Sequence, residues 1–473
     1  MARTEAASEA ASEAALSPAA GRGVAGTTWV FALAASLAGV TLLALGQGLT
    51  FFADEWAVIE GRALDLDSFV RPFNEHWLGT TILVYRLMQS VFGLGTYVPY
   101  LALLIGLHIV VASEVFVLVR RSAGPLAGLA AGLLILFFGS GFENLFWAMQ
   151  IGFVGAAALG FGAMLLLDGT PGRSRAIGSM VLLMVAVTTS GMGLVFVAAV
   201  GVELLVDRSR RRLVYAAVAP ATLYLVWYLA LGRSGVATAR DPFTLEALSQ
   251  VPAFVVQGLG AAGGAISGLG PVLGLALPIL VVALAIGRLA TGRGLTARTV
   301  GCLGGIVVLY VLTGLVRAQL VTDAALYTRY TYLAGPLLLV ALGALVGPDL
   351  VAFRPAPRLR TIVVAGAGSI LALALIWNVR LVIEGRILFL ERAERTRALV
   401  TVGLSDLPPE VERDRTLILV PSPASLERLI AAHGSPLRDS LVMSGVPPIS
   451  DAAMADALRR ALERKGPIGP LPQ

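Results

Sequence analysis

The sequence predicts an all-α polytopic membrane protein with about 11 transmembrane helices, on three observations. Hydrophobic residues fill 57% of the 473 positions and charged residues only 14%. Mean hydropathy is +0.82, far above that of a soluble domain. The apolar residues fall into runs of about 20, the length that crosses roughly 30 Å of hydrocarbon. Third, the basic residues, all arginine except Lys465, collect in alternate connections between those runs, as topology signals do. Scattered this way, with a net charge of only +6, they form no single basic patch, which argues against nucleic acid as a partner. The one cysteine, Cys302, sits in an apolar run and excludes a disulfide framework.

Residues 1–26 contain the low-complexity stretch TEAASEAASEAA and lack the charged start and cleavage site of a signal peptide. They read as a disordered cytoplasmic tail. A transmembrane unit over 27–380 follows, its first span at Thr28–Leu49. Later spans are expected at 97–119, 124–141, 145–167, 176–190, 191–206, 213–231, 270–287, 299–316, 331–347 and 361–379. The stretch TTSGMG at 188–193 separates two short members.

With the N-terminus inside, the loops carrying Arg120 and Arg121, Arg173 and Arg175, Arg208 to Arg212, Arg288 to Arg298, and Arg354 to Arg360 are cytoplasmic. The loop 51–96 is then external. The segment 251–267 reads as an external amphipathic or re-entrant stretch, with a twelfth span as the alternative. Residues 381–473 are near neutral, with a helix expected at 384–400, a strand-like run at 416–421 and a helix at 451–464. They are expected to form a small external α/β domain.

Candidate chemistry concentrates just after the first span. The stretch Phe51–Trp77 holds Asp54, Glu55, Glu60, Asp65, Asp67 and Glu75, together with Arg62, Arg71 and His76. Adjacent carboxylates at an interface raise one another's pKa, and the Asp54–Glu55 pair suits either a general base or a divalent cation. The same spacing also serves as a solvated loop start. Glu75 and His76 form a second cluster, whereas Asp65 and Asp67 match a DxD pattern only formally.

Two more features lie on the same expected face. One is Tyr327–Tyr332, YTRYTY, where Arg329 is placed to grip a phosphate with Tyr330 beside it, or to sit in an aromatic belt. The other is FENLFWAMQ, with Glu143 and Asn144 in a tight turn. His108 and Glu114 lie within a span and face a cavity or the bundle interior, His108 reading as a packing residue.

The order of these features resembles the GT-C superfamily of integral-membrane glycosyltransferases. The resemblance rests on the acidic pair in the first external loop and a segment ending in EHW. It continues with LVYRLMQSVFGLGTYVPYLALLIGLHIVVASEVFVLVRR, FENLFWAMQ and an external YTRYTY before a span. It covers residues 28–380 and implies a polyprenyl-phosphate sugar donor and an envelope glycan or lipid acceptor. It further implies catalysis by Asp54 with Glu55 in support, and a divalent cation (Mg or Mn) at the same pair. Arg329 would hold the donor phosphate, and Glu75 and His76 would shape the acceptor site.

Two rival classes remain open. A transporter or flippase of a lipid-linked or envelope precursor would place polar residues along central spans and show internal symmetry. A membrane scaffold would tolerate neutral residues at Asp54 and Glu55.

Overall fold

The computed structural model of the chain describes residues 18–74, 76–235, 244–319, 323–352, 356–402, 421 and 423–436. Regular structure among these residues is helical, with one isolated antiparallel bridge between Phe73 and His76. The helices in order are α1 (Pro18–Leu45), α2 (Asp54–Gly61), α3 (Leu66–Val70), α4 (Gly79–Phe92), α5 (Val98–Ala123) and α6 (Pro125–Leu136). There follow α7 (Glu143–Phe146), α8 (Ile151–Leu166), α9 (Arg173–Thr189), α10 (Gly193–Val206), α11 (Tyr215–Ala230) and α12 (Leu245–Ser267). The last are α13 (Gly270–Gly274), α14 (Ala276–Ala290), α15 (Ala297–Arg317), α16 (Thr328–Ala352), α17 (Pro357–Val402) and α18 (Pro423–His433).

Among the described residues eight helical stretches are long and apolar enough to cross a membrane, as in an all-α polytopic membrane protein. They contain α1, α5, α8, α11, α13 with α14, α15, α16 and α17. Two shorter apolar helices, α6 and α10, pack among them. Each apolar run expected to span corresponds to a helix, because a backbone in hydrocarbon must satisfy its own hydrogen bonds.

The alternate arginine loops meet at one end of the bundle. Arg121 pairs with Asp168 at 2.8 Å, and Arg298 with Glu203 at 2.5 Å. Arg210 reaches both Glu203 and Asp207, and Arg288 and Arg293 share Asp349. Glu203 is only 2% exposed, so its charge depends on the two guanidinium groups across it.

The opposite end carries the turns at 46–53 and 137–150. Helix α12 lies across this end. Its cap Thr244 meets Gln319, just past α15, while the carbonyl of Ala265 in its last turn accepts from Asn378 Nδ2 at 2.8 Å. Asn378 Oδ1 accepts from the Ser140 amide at 2.9 Å, so both ends of α12 sit on one side. The turn into α13 folds back on the α12 face bearing Gly260, Gly263 and Gly264. A Cβ at Gly263 would strike the Gly274 carbonyl, so only glycine lets the two backbones meet.

Three expectations change. Helix α1 starts at Pro18, inside the stretch read as a tail, and residues 1–17 lie outside the described ones. The loop 51–96 is largely helical, since Trp56, Val58, Ile59, Ile82 and Tyr85 supply an apolar face that packs inward. The helix expected at 384–400 is the continuation of the last span: α17 runs 46 residues, about 69 Å at 1.5 Å each. The run at 416–421, but for its last position, and the helix at 451–464 lie outside the described residues.

Because two arginines converge on Glu203, replacing it with Gln should destabilise the bundle by about 3 kcal/mol. A lowered thermal transition of the detergent-solubilised protein would register this. The double variant E203L/R298M, which removes the charges together, should recover most of the loss.

Candidate functional site

The site is built from the turn that joins α1 to α2. Ala53 precedes Asp54 at φ 49°, a region L residues rarely adopt. Neighbours hold the turn there. Trp56 Nε1 donates to the Phe51 carbonyl at 3.1 Å, Trp147 Nε1 donates to the Phe52 carbonyl at 3.3 Å, and the Phe52 amide donates to Glu55 Oε2 at 2.7 Å. The turn sends the two adjacent carboxyl groups to different surroundings.

Glu55 points inward and is fully buried. Its Oε1 meets the hydroxyls of Tyr85 at 2.6 Å and Tyr97 at 3.0 Å. Burial pushes its pKa up to about 8 against the opposing pull of these hydrogen bonds, so it is a neutral acid at moderate pH. Tyr97 in turn accepts from the Ala148 amide at 2.8 Å, which ties the α2 turn to the segment before α8. Glu55 is therefore a structural hub that orients its neighbour.

Asp54 is half-buried and lies within electrostatic reach of Arg329 in the first turn of α16. Glu143, at the start of α7, accepts from Thr328 Oγ1 at 2.9 Å and from the Arg329 amide at 3.3 Å. Its carboxylate stands 4.0 Å from Arg329 Nε, too far for a hydrogen bond, and that buried Nε has no partner. The Arg329 guanidinium lies 4.7 Å from the ring centre of Tyr327 and 5.8 Å from that of Tyr330. These rings hold the cation in place and leave its hydrogen-bonding edge available.

A second arginine completes the cluster. Arg392, in the extension of α17, lies 5.2 Å from the Phe52 ring centre and 4.8 Å from that of Phe389, and it feels the charges of Glu143 and Arg329. The sequence reading missed it by assigning 381–473 to a separate domain. The signal was present: Arg380, Arg386 and Arg392 recur every sixth residue along a run whose other positions are mostly apolar, Glu384 and Glu391 excepted. Two of these three hold the bundle together. Arg386 Nε donates to the Leu45 carbonyl at 2.9 Å, and Arg392 reaches the cluster, while Arg397 further on meets the Gly48 carbonyl. Carbonyls at the end of α1 are thus capped by cations.

The other candidates are placed as follows. Tyr330 is buried, 6.4 Å from Phe153, whose ring is 6.1 Å from that of His76. Two aromatic rings, Phe153 and Tyr330, thus separate His76 from Arg329. Asn144 is buried and contacts Gln150 at 3.4 Å, a support for the turn rather than a surface group. Glu75 lies outside the described residues. Asp65 caps α3 by accepting from the Ser68 amide at 2.7 Å, and Asp67 pairs with Arg71 on the surface, so neither joins the site. His108 is a buried packing residue, bonded to the Tyr332 hydroxyl at 2.8 Å.

The residues present do not fit the divalent cation expected at Asp54 and Glu55. Both Glu55 oxygens already accept hydrogen bonds. Among the described residues no group of three or more His, Cys, Asp or Glu side chains gathers.

The raised pKa of Glu55 has a signed consequence. Folding favours the protonated acid, so its contribution to stability is whole below about pH 4.5 and declines as the pH rises to about 8. Glu55→Gln keeps a neutral group of the same shape. Over that window the wild type should lose stability relative to E55Q, by at most about 1.4 kcal/mol per pH unit. Thermal transitions measured across pH would check this, and parallel profiles for the two proteins would show Glu55 ionised in the fold. Comparison with known proteins finds no matching family model, no matching curated protein and no matching solved structure, so the chemistry of the site rests on its geometry.

Proposed function

We propose that the chain is a GT-C-type membrane glycosyltransferase that moves a sugar from a polyprenyl-phosphate donor to an envelope glycan or lipid acceptor. The observation that carries this reading is that Asp54 lies within electrostatic reach of Arg329, 275 residues away, at one end of an apolar bundle where Glu143 accepts from the Arg329 amide. A half-buried carboxylate within electrostatic reach of a guanidinium whose Nε has no hydrogen-bond partner offers a base and a phosphate holder at one end of the bundle. Arg392 adds a second cation at the same place.

Asp54 accepts the proton of the acceptor hydroxyl as its oxygen bonds to the anomeric carbon. The bond from that carbon to the donor phosphate oxygen breaks, and lipid phosphate leaves with the electron pair. Arg329 and Arg392 hold the charge that develops on the leaving phosphate. Glu143 orients Arg329, Tyr330 walls the site, and His76 lies on the side where an acceptor would approach.

The membrane arrangement belongs to the same proposal. Adding α6, α9 and α10 to the eight long spans makes eleven, with α12 resting on the site end. Setting the arginine-rich end in the cytoplasm puts the N-terminus inside and the site outside. A lipid-borne donor suits an external site, since the lipid itself carries the sugar across.

A carrier of lipid-linked precursors is the second reading. It draws on Glu114 of α5, which lines an apolar cavity of about 390 Å³ and has a buried Oε2 without a partner. Buried intramembrane carboxylates often mark translocation paths.

Cells lacking the chain should accumulate an unused lipid-linked sugar and lack one envelope glycan linkage, both read by mass spectrometry. Complementation with Asp54→Asn should insert normally yet reduce transfer roughly a thousandfold. Near-normal transfer by D54N would remove the catalytic assignment. Arg329→Ala and Arg392→Ala should mainly weaken donor use, by roughly tenfold to a hundredfold each. Loss of function in Glu114→Gln, with D54N active, would favour the carrier.

A further inference from the structure

At the arginine-rich end, opposite the Asp54 cluster, several cations are ion-paired. Arg121, Arg210 and Arg298 share Asp168, Glu203 and Asp207, while Arg175 donates to the carbonyls of Leu165 and Asp168. Arg173 and Arg212, like Arg208, Arg358 and Arg360, make no ion pair or side-chain hydrogen bond among the described residues, but these two stand together. They line one cavity of about 690 Å³ between the start of α9 and the start of α11.

Three further features of that cavity point the same way. The hydroxyl of Tyr215, which lines it, is buried and has no hydrogen-bond partner. The first turn of α9 has neither a side-chain cap nor an acidic residue, so its free amides and positive dipole end are uncompensated. Arg173 and Arg175 stand in that turn, where a carboxylate would ordinarily be favoured. Positive charge therefore stands around a cavity lined by Tyr215, whose hydroxyl has no hydrogen-bond partner.

The remaining wall is apolar. Ile177 and Met180 follow Arg173 at spacings of four and seven, on one face of α9, and Leu213 closes the other side. Ile177 is 39% exposed, so this face opens outward from the bundle. A ligand here meets cations at the end of the helix and hydrocarbon further along it.

We infer that the cavity binds the phosphate of an anionic phospholipid, with Arg173 and Arg212 on the phosphate, the Tyr215 hydroxyl as a donor and one acyl chain along Ile177 and Met180. Membrane-facing arginines near a helix start attract anionic headgroups, and the apolar strip selects a lipid over a soluble phosphate. The site is separate from the proposed catalytic cluster and does not depend on it.

The test uses the full-length protein in nanodiscs and in detergent. Native mass spectrometry and thermal transitions are recorded with phosphatidylglycerol, with phosphatidylcholine and with glycerol phosphate. The wild type should retain phosphatidylglycerol and be stabilised by it, with little effect from the other two. The double variant R173Q/R212Q should bind it about thirtyfold more weakly, the equivalent of about 1 kcal/mol for each arginine. Both side chains are exposed, so the fold should survive. The control R358Q/R360Q, at the same end but off the cavity, should behave as wild type. Equal retention by R173Q/R212Q, or an equal loss in the control, would overturn the site. Equal stabilisation by glycerol phosphate would overturn its assignment to lipid.

Discussion

Keeping one carboxyl group out of water determines the shape of the site end of this bundle. Glu55 sits fully buried between Tyr85 of α4 and Tyr97 at the start of α5, with its second oxygen on the Phe52 amide. An unsatisfied carboxyl there would be costly, so α2, α4 and the turn before α8 must all arrive in register to satisfy it. Its neighbour has no freedom left once that is done. With Glu55 buried and Ala53 at positive φ, Asp54 is left half-buried within electrostatic reach of Arg329 in α16.

The same logic extends to α17, which does more than cross the bundle. Its upper half passes close against the 139–141 turn, where a Cβ at Gly139 would strike the Asn378 carbonyl. Asn378 then joins that turn to α12, and Arg386 and Arg397 cap the end of α1. Arg392 reaches the Asp54 turn only because the helix continues unbroken past the last span. A hinge at residue 380 would remove a cation from the site and the caps from α1 together.

Much of the fold is legible in the sequence because the membrane leaves the backbone few choices. Apolar runs such as 299–316 and 213–231 become helices within a few residues of their expected limits. The alternation of Arg121, Arg173, Arg210 and Arg298 likewise foretells which ends meet. The site is legible only in part. Asp54, Glu143 and Arg329 stand out as charges in an apolar chain, and the fold does bring them together. The division of labour between Asp54 and Glu55 is invisible, since it depends on a non-glycine residue at positive φ and on two tyrosines 30 and 42 residues away. Arg392 escaped for the opposite reason: charges every sixth residue look like a polar segment unless the apolar positions between them are followed as one helix.

The two ends of the bundle treat charge differently. At the arginine-rich end carboxylates are matched to guanidinium groups at hydrogen-bonding distance, and Glu203 alone serves two. Such pairing fixes helices and consumes hydrogen-bonding capacity. At the other end Arg329 is flanked by aromatic rings, stands 4.0 Å from Glu143 and keeps a donor unused, while Arg392 rests on Phe52 and Phe389. Aromatic faces hold a cation without occupying its N–H groups. Ion pairs at one end thus fix the helices there, while at the other the Arg329 Nε keeps a donor unused, the feature on which the proposed phosphate-holding role rests.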